Sequence, residues 1–569
     1  MFKLFFRKIN SASQTITSAA IIIGALSLVS RLFGIFRDRI LASEFGAGDT
    51  LDVYYAAFRL PDLVYNLLIL GAVSAGLIPI FAALLAKHKE SDAWRLINSI
   101  LNILSLGLVV ICVILFVAAP WLMPLITPGF PPEKMSLVVG LSRIMFLSPL
   151  FLGLSAIFSS ILQSYRKFFI YSIAPIFYNL GIIVGALFFV PIWGIYGLAW
   201  GVVLGALVHM IIQFLPIFSV GYRYQFIFNF RDKYVRDVAK MMVPRTLALI
   251  VSQLNFLIIT IIASTLAAGS LAIFNLSNNL QNFPLGIFGV SMAVAALPVL
   301  STLWAEKKRD DFVNTISTSF RQILFFIVPI SVLLYVLRAQ VVRVILGAGS
   351  FNWYDTRLTA ACLAIFCIGL FAQGTFPLII RGFYALQNTK TPFYIGLASM
   401  VVNFVALLSF RWVYSFDNWF TFFTTAILHI DDIGDLIDFR VLALPAAITV
   451  SSIFELVVLM LFMRRIIGRL DGRKILNSIF RILFASVGGG ILSYAVLQVM
   501  ATLVPTEKVY GLFFQGFLAG IIGLAGYWIL GCLLKMEEMQ IFITSMKRKF
   551  LRTAKVVPEE TMIDGEMPQ

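Results

Sequence analysis

Apolar runs of about 20 residues recur from one end of this chain to the other, and a helix of that length is what crosses ~30 Å of hydrocarbon. The recurrence confines the fold to an all-α polytopic membrane protein. Its runs are too long for the alternating ten-residue segments of a membrane β-barrel. Composition agrees: 60% of the 569 residues are hydrophobic and only 13% are charged, which is too few to cover a water-soluble surface of this size. Fourteen spans are expected, at 16–43, 51–86, 95–119, 135–163, 168–190, 194–219, 237–266, 271–303, 314–337, 356–384, 391–412, 440–466, 475–503 and 509–534.

The formal net charge of +16 would suit nucleic acid, but its placement argues for topology instead. Lys87–Lys89, Arg166–Lys167, Arg231–Arg236, Lys307–Arg309, Lys390 and Arg464–Lys474 fall in loops on one side, with both basic termini. The intervening loops at 44–49, 127–134, 267–270 and 504–508 are poor in Lys and Arg. A fifth and longer loop on that side, 413–439, carries Asp417, Asp431, Asp432, Asp435 and Asp438. Basic loops stay cytoplasmic, so both termini are expected there. The basic MFKLFFRKIN segment precedes no small-residue cleavage site and is expected to be retained.

Two sequence pairs point to an internal repeat. Residues 71–89 resemble 289–308, and 161–175 resemble 384–399, at an offset of about 220 residues. Two parallel six-helix lobes follow, at 1–220 and 221–470. Two further helices at 471–534 and a cytoplasmic tail at 535–569 stand outside the repeat.

The first two spans are unusually charged. Residues 27–81 carry Arg31, Arg37, Asp38, Arg39, Asp52, Arg59 and Asp62, each costing at least ~2.5–3.5 kcal/mol at mid-membrane. Arg31 and Asp38 share a helix face, as do Asp52 and Arg59. Two readings stand. The charges neutralise one another and fix helix register, or the arginines form a cationic patch for an anionic ligand. Span 8 is polar in another way, with Asn275, Asn278, Asn279, Gln281 and Asn282 crowded before Pro284. Amides there either line a cavity or bond across helices. Glu455 is a lone acid in span 12, suited to ion coupling or to pairing with an arginine. His209 reads as a core histidine, and the four cysteines as small core residues without metal spacing. The chain carries no P-loop pattern, no nucleophile elbow and no metal cluster. A transporter without cofactor is therefore expected, not an enzyme.

The segments SRLFGIFRD (30–38), EFGAGDTLDVYYAAFRLPDL (44–63) and YALQNTKTP (384–392) resemble the MurJ/MviN lipid II flippases of the multidrug/oligosaccharidyl-lipid/polysaccharide exporter superfamily. The resemblance covers essentially the whole chain. It implies two six-helix lobes plus a pair of helices grooved for a polyprenyl tail. It also implies alternating-access movement of an undecaprenyl-diphosphate-linked saccharide-peptide from the cytoplasmic to the outer leaflet. Arg31 and Arg37 then match cavity arginines, and Asp52 the acidic residue opening the second helix. Arg59 and the amides Asn278, Asn279 and Asn282 complete the expected binding set, and Glu455 is the expected ion-coupling site.

The chain departs from that pattern where the family carries paired arginines and an acid. Here stand Tyr65–Asn66 and Ile69–Leu70–Gly71, and Asn278–Asn279 replace an Asp–Arg pair. Membrane lipids and cell-wall synthesis enzymes are the expected partners, with no nucleic acid. Membrane potential or Na+/H+ coupling would supply the energy. The alternatives are export of another polyprenyl-linked saccharide, cation-coupled drug export, and a non-transporting scaffold for envelope synthesis.

Overall fold

A computed structural model describes residues 16–70, 76–428, 438–504 and 509–551. The N-terminal basic segment, Gly71, the acidic run 431–435, most of the 504–508 loop and the tail beyond 551 lie outside the described residues.

In chain order the helices are α1 (Ile16–Phe45), α2 (Asp49–Ala57), α3 (Arg59–Val64), α4 (Ile78–Ala86), α5 (Glu90–Ile126), α6 (Pro132–Met145), α7 (Leu147–Ser164), α8 (Phe168–Val184) and α9 (Tyr196–Ile217). They continue with α10 (Lys233–Ala263), α11 (Ser270–Pro284), α12 (Ser291–Ala305), α13 (Arg309–Val336), α14 (Arg338–Leu346), α15 (Trp353–Ala385) and α16 (Lys390–Val413). The last are α17 (Trp419–Leu428), α18 (Ala443–Ile467), α19 (Gly472–Leu503), α20 (Val509–Leu533) and α21 (Glu537–Leu551).

Helix occupies most of the described residues of every expected segment, and eleven helical stretches among those residues are long and apolar enough to cross a membrane. The other three expected spans are α1, the broken segment from α2 to α4, and α10. Two departures concern continuity. The second span breaks at Phe58 and passes into a π-helical turn at Tyr65–Leu70. The fourth breaks at Phe146. A further π-helical turn, Leu285–Val290, follows Pro284, where proline removes a helical donor. The expected acidic loop after α16 holds a helix of its own, α17. Of the cysteines expected in the core, Cys112, Cys362 and Cys367 are buried, whereas Cys532 is exposed.

The helices form two compact units. The first comprises Met1–Phe283, Arg338–Gly369 and Asn388–Leu459. Within it α8 and α9 approach backbone to backbone. A Cβ on Gly181 would lie 2.2 Å from the Gly205 Cα, so only glycine fits this seam. Small residues four apart let membrane helices touch in this way, and van der Waals contact then holds them. The second unit comprises Pro284–Leu337, Leu370–Gln387 and Met460–Gln569. Here α19 and α20 pack along each other, with Gly489 against the Gly523 carbonyl. Buried Arg321 of α13 pairs with buried Glu538 at 2.8 Å and with Glu537 at 2.7 Å, while the Ser478 hydroxyl donates to Glu538. Phe542 packs between Phe325, Phe326 and Trp528. These contacts seat α21 on the bundle.

Candidate functional site

Four of the charges of α1–α3, Arg31, Asp38, Asp52 and Arg59, bond one helix of the first unit, α11. Asp52 accepts hydrogen bonds from the backbone N–H groups of Gly269 (2.8 Å) and Ala272 (2.9 Å), at the N-terminus of α11. Those donors have no partner inside the helix, so a carboxylate there both caps the helix and meets the positive end of its dipole. One turn on, an Arg59 guanidinium nitrogen donates to the Asn275 side-chain oxygen at 2.9 Å. The next turn brings Asn279, whose amide nitrogen donates to Asp38 at 2.9 Å. The Arg31 guanidinium reaches the Asn282 carbonyl at 3.4 Å. Residues 272, 275, 279 and 282 are spaced by three and four, so they share one face of the helix. Asn278 lies one residue off that stripe and accepts from Gln281 of its own helix at 2.9 Å.

The three arginines differ in what they have left to give. Arg37 donates twice to the neighbouring Asp38 carboxylate, at 2.8 and 3.0 Å, and once to the Asn179 side chain of α8 at 3.0 Å. Its charge is largely matched. Arg59 stands differently. It bonds an amide and lies over the Phe256 ring at 5.7 Å, and its buried Nε has no partner. Among the described residues it makes no ion pair; Asp62 is the acid within electrostatic reach. Arg39 faces elsewhere, donating to the Val344 and Ile345 carbonyls at the end of α14. Tyr54, Tyr55 and Tyr178 surround the same charges. A guanidinium held by neutral groups in an aromatic setting can exchange them for phosphate oxygens in a bidentate fork.

Asp52 belongs to a different part of the unit. Its carboxylate also takes Lys134 Nζ at 3.1 Å, and Lys134 in turn reaches Asp49 at 2.6 Å and covers the Phe130 ring at 4.0 Å. Around this pair the loops poor in Lys and Arg bind one another. Asp355 accepts from the Ala47 N–H at 3.2 Å, and Ser350 N–H donates to the Ser43 carbonyl at 2.7 Å. Gly269, with φ +86°, lies so close to the Ala47 carbonyl that a Cβ would be 1.9 Å from it. Within this unit, therefore, the loops of that side are knitted together.

Of the residues singled out by sequence, Arg31, Arg37, Arg59 and Asp52 each reach α11 or its immediate partner, and Asn279 and the Asn282 backbone receive them. Glu455, on α18, stands apart, facing the Ser399 hydroxyl of α16. Tyr65 and Asn66 occupy the π-helical turn, where the Asn66 side chain donates to the Asp62 carbonyl at 2.9 Å. Sequence reasoning named Asn275 among amides that line a cavity or bond across helices, and missed Lys134 and Asn179 as partners. Lys134 had a signal, being the cation in a loop side otherwise poor in them. Asn179 had a weaker one, an amide alone in the apolar run IFYNLGI. His209 bonds Ser155 at 2.8 Å between α9 and α7, as a core histidine does.

Comparison with known proteins places this architecture. A family model described as lipid II flippase MurJ matches residues 41–514. A probable lipid II flippase MurJ of Rhizobium tropici is 30% identical over 400 residues, 68% of this chain and 75% of that protein. One from Thermotoga maritima is 32% identical over 378 residues, 66% of this chain and 75% of its own. A solved structure of lipid II flippase MurJ in an inward closed conformation superposes with a TM-score of 0.69. It covers 94% of this chain and 100% of its own, at 22% identity. An inward-facing multidrug resistance MATE transporter aligns with a TM-score of 0.60 over 80% of this chain and 99% of its own, at 15% identity. The two structures carry the fold, and the family match carries the kinship: the chain belongs to the lipid II flippase MurJ family.

Proposed function

We propose that this protein is a lipid II flippase of the bacterial inner membrane, with both termini in the cytoplasm. Its Arg59 is the principal ligand for the substrate diphosphate. The observation that carries the assignment is the state of Arg59: half-buried with its Nε out of water and unpartnered, bonded to an amide, and without an ion pair among the described residues. Diphosphate oxygens would displace Asn275 from the guanidinium, and each charge-assisted bond is worth ~1.5–3 kcal/mol. Arg37 contributes less, because it must first loosen from Asp38. Arg31, held by a single long bond, is free to follow the headgroup. The amide face of α11 would meet sugar and peptide, which bond to amides without the cost of burying a charge.

Outward release needs the loops of the poorly charged side to part. The Asp52–Lys134 pair and the two N–H groups of α11 that Asp52 holds are the bonds that must break. Net outward movement of an anion is favoured by an inside-negative potential, by ~2.3 kcal/mol per charge per 100 mV.

The test is rescue of bacteria depleted of their own lipid II flippase, scored by growth and by precursor accessible outside the cell. The wild-type chain restores both, and Arg59→Ala at equal membrane abundance restores neither. Failure of the well-expressed wild-type chain to rescue would refute the substrate assignment.

A further inference from the structure

Helix α17 is inside out for a segment in water. Its outward face carries Trp419, 74% exposed, and Phe422, 70% exposed, followed by Phe423 and Ile427. Its inward face carries Thr421 and Thr425, 6% and 5% exposed. Positions 419, 422, 423 and 427 follow helical spacing, so the exposed residues form one continuous stripe.

The helix is firmly held in that orientation. The Asn418 side-chain oxygen accepts from the Thr421 N–H at 2.9 Å, while its amide donates to the Val413 carbonyl at 2.7 Å. Thr421 Oγ1 donates to the Phe416 carbonyl at 3.1 Å. At the other end the Arg338 guanidinium reaches the Ile427 and Leu428 carbonyls, each at 3.4 Å. Phe420 packs on Phe410 and Tyr414. Exposed aromatics on so well-anchored a helix are not the by-product of a loose loop.

The stripe continues a surface whose surroundings are already fixed. Val401, Phe404, Val405, Leu408 and Trp412 form the exposed face of α16, a helix long and apolar enough to cross the membrane. Trp412 meets Phe416 edge-on at 5.3 Å, and Trp419 stacks on Phe423 at 5.3 Å, so exposed aromatic pairs stand both at the end of α16 and along α17. Ten residues rise only about 15 Å, half of what crossing requires.

We propose that α17 is an interfacial helix, its Trp419–Phe422–Phe423–Ile427 face seated in the lipid of the leaflet opposite the basic loops. Tryptophan and phenylalanine favour that depth. The helix carries no Lys or Arg, and Asp417 precedes it, so apolar area rather than lipid charge holds it there.

The test places an environment-sensitive fluorophore on Trp419→Cys and, separately, on Phe422→Cys. Both are made in a chain whose four native cysteines are alanine, in proteoliposomes of zwitterionic lipid. Nitroxide on shallow acyl positions should extinguish most of the emission, and aqueous iodide should leave it unchanged. Either site alone decides the matter. Quenching by iodide would overturn the proposal by placing the face in water. Protection from both quenchers would overturn it by showing a protein cover. A label-free measurement reads the same property: Trp419→Phe should lose part of the quenching that brominated lipid causes in the wild-type chain, and an unchanged quench would contradict the proposal.

Discussion

At the scale of the residue, the site separates two jobs that the sequence joins in one charged stretch. Asp52 and Arg59 lie seven residues apart on what reads as a single span, yet Asp52 spends its oxygens on Gly269, Ala272 and Lys134, while Arg59 keeps donors in hand. Asp52→Asn keeps the shape and removes the charge, with loss of about 1.5–3 kcal/mol of stabilisation for the bonds to a charged acceptor. The expected result is a lower Tm and faster labelling of an Ala47→Cys thiol by a membrane-impermeant reagent. Unchanged labelling would show that Asp52 does not help hold those loops together. Arg59→Lys keeps a charge but not the planar fork. Its affinity for lipid II should fall about tenfold for each ~1.4 kcal/mol of bidentate bonding lost, with the folded yield unaffected, as read by binding to the purified protein.

The pairing itself was only partly legible in sequence. Spacing put Arg31 and Asp38 on one face, but Arg37 folds back onto its own neighbour Asp38, a contact that residues one apart on a helix do not ordinarily make. Nor does any spacing rule connect residues more than 200 positions apart, and that is where Asn275 and Asn279 enter.

At the scale of the element, hydropathy located the helices well because the bilayer demands a long apolar run for each crossing. The breaks at Phe58 and Phe146 each stand three residues before a proline, Pro61 and Pro149, whose missing N–H and bulky ring disturb the preceding turn, so a signal for both lay in the sequence. Helix α17 was hidden by length, being too short to read as a span, and by the acidic residues around it. Helix α21 makes a further prediction. Its seat depends on Glu538, which is buried against Arg321; removing one partner of a buried pair costs about 3–5 kcal/mol where the other charge is left unpaired, and less here because Glu537 still reaches Arg321. Glu538→Ala should therefore loosen α21, seen as faster amide hydrogen exchange across Glu537–Leu551. Protection equal to the wild type would mean that the Phe542 contacts alone hold the helix.

At the scale of the whole molecule, the family match and the arginine that α11 holds through an amide point to one activity, movement of a diphosphate-linked lipid. The departures at Tyr65, Asn66 and Asn279 remove cations that the resemblance leads one to expect, and they concentrate the load on Arg59. The most direct measurement is transport of lipid II across proteoliposomes containing the purified chain, under an imposed potential negative on the donor side. Wild-type protein should move the lipid, faster as the potential grows, and Arg59→Ala should not move it above protein-free vesicles. Transport by Arg59→Ala at the wild-type rate would contradict the account.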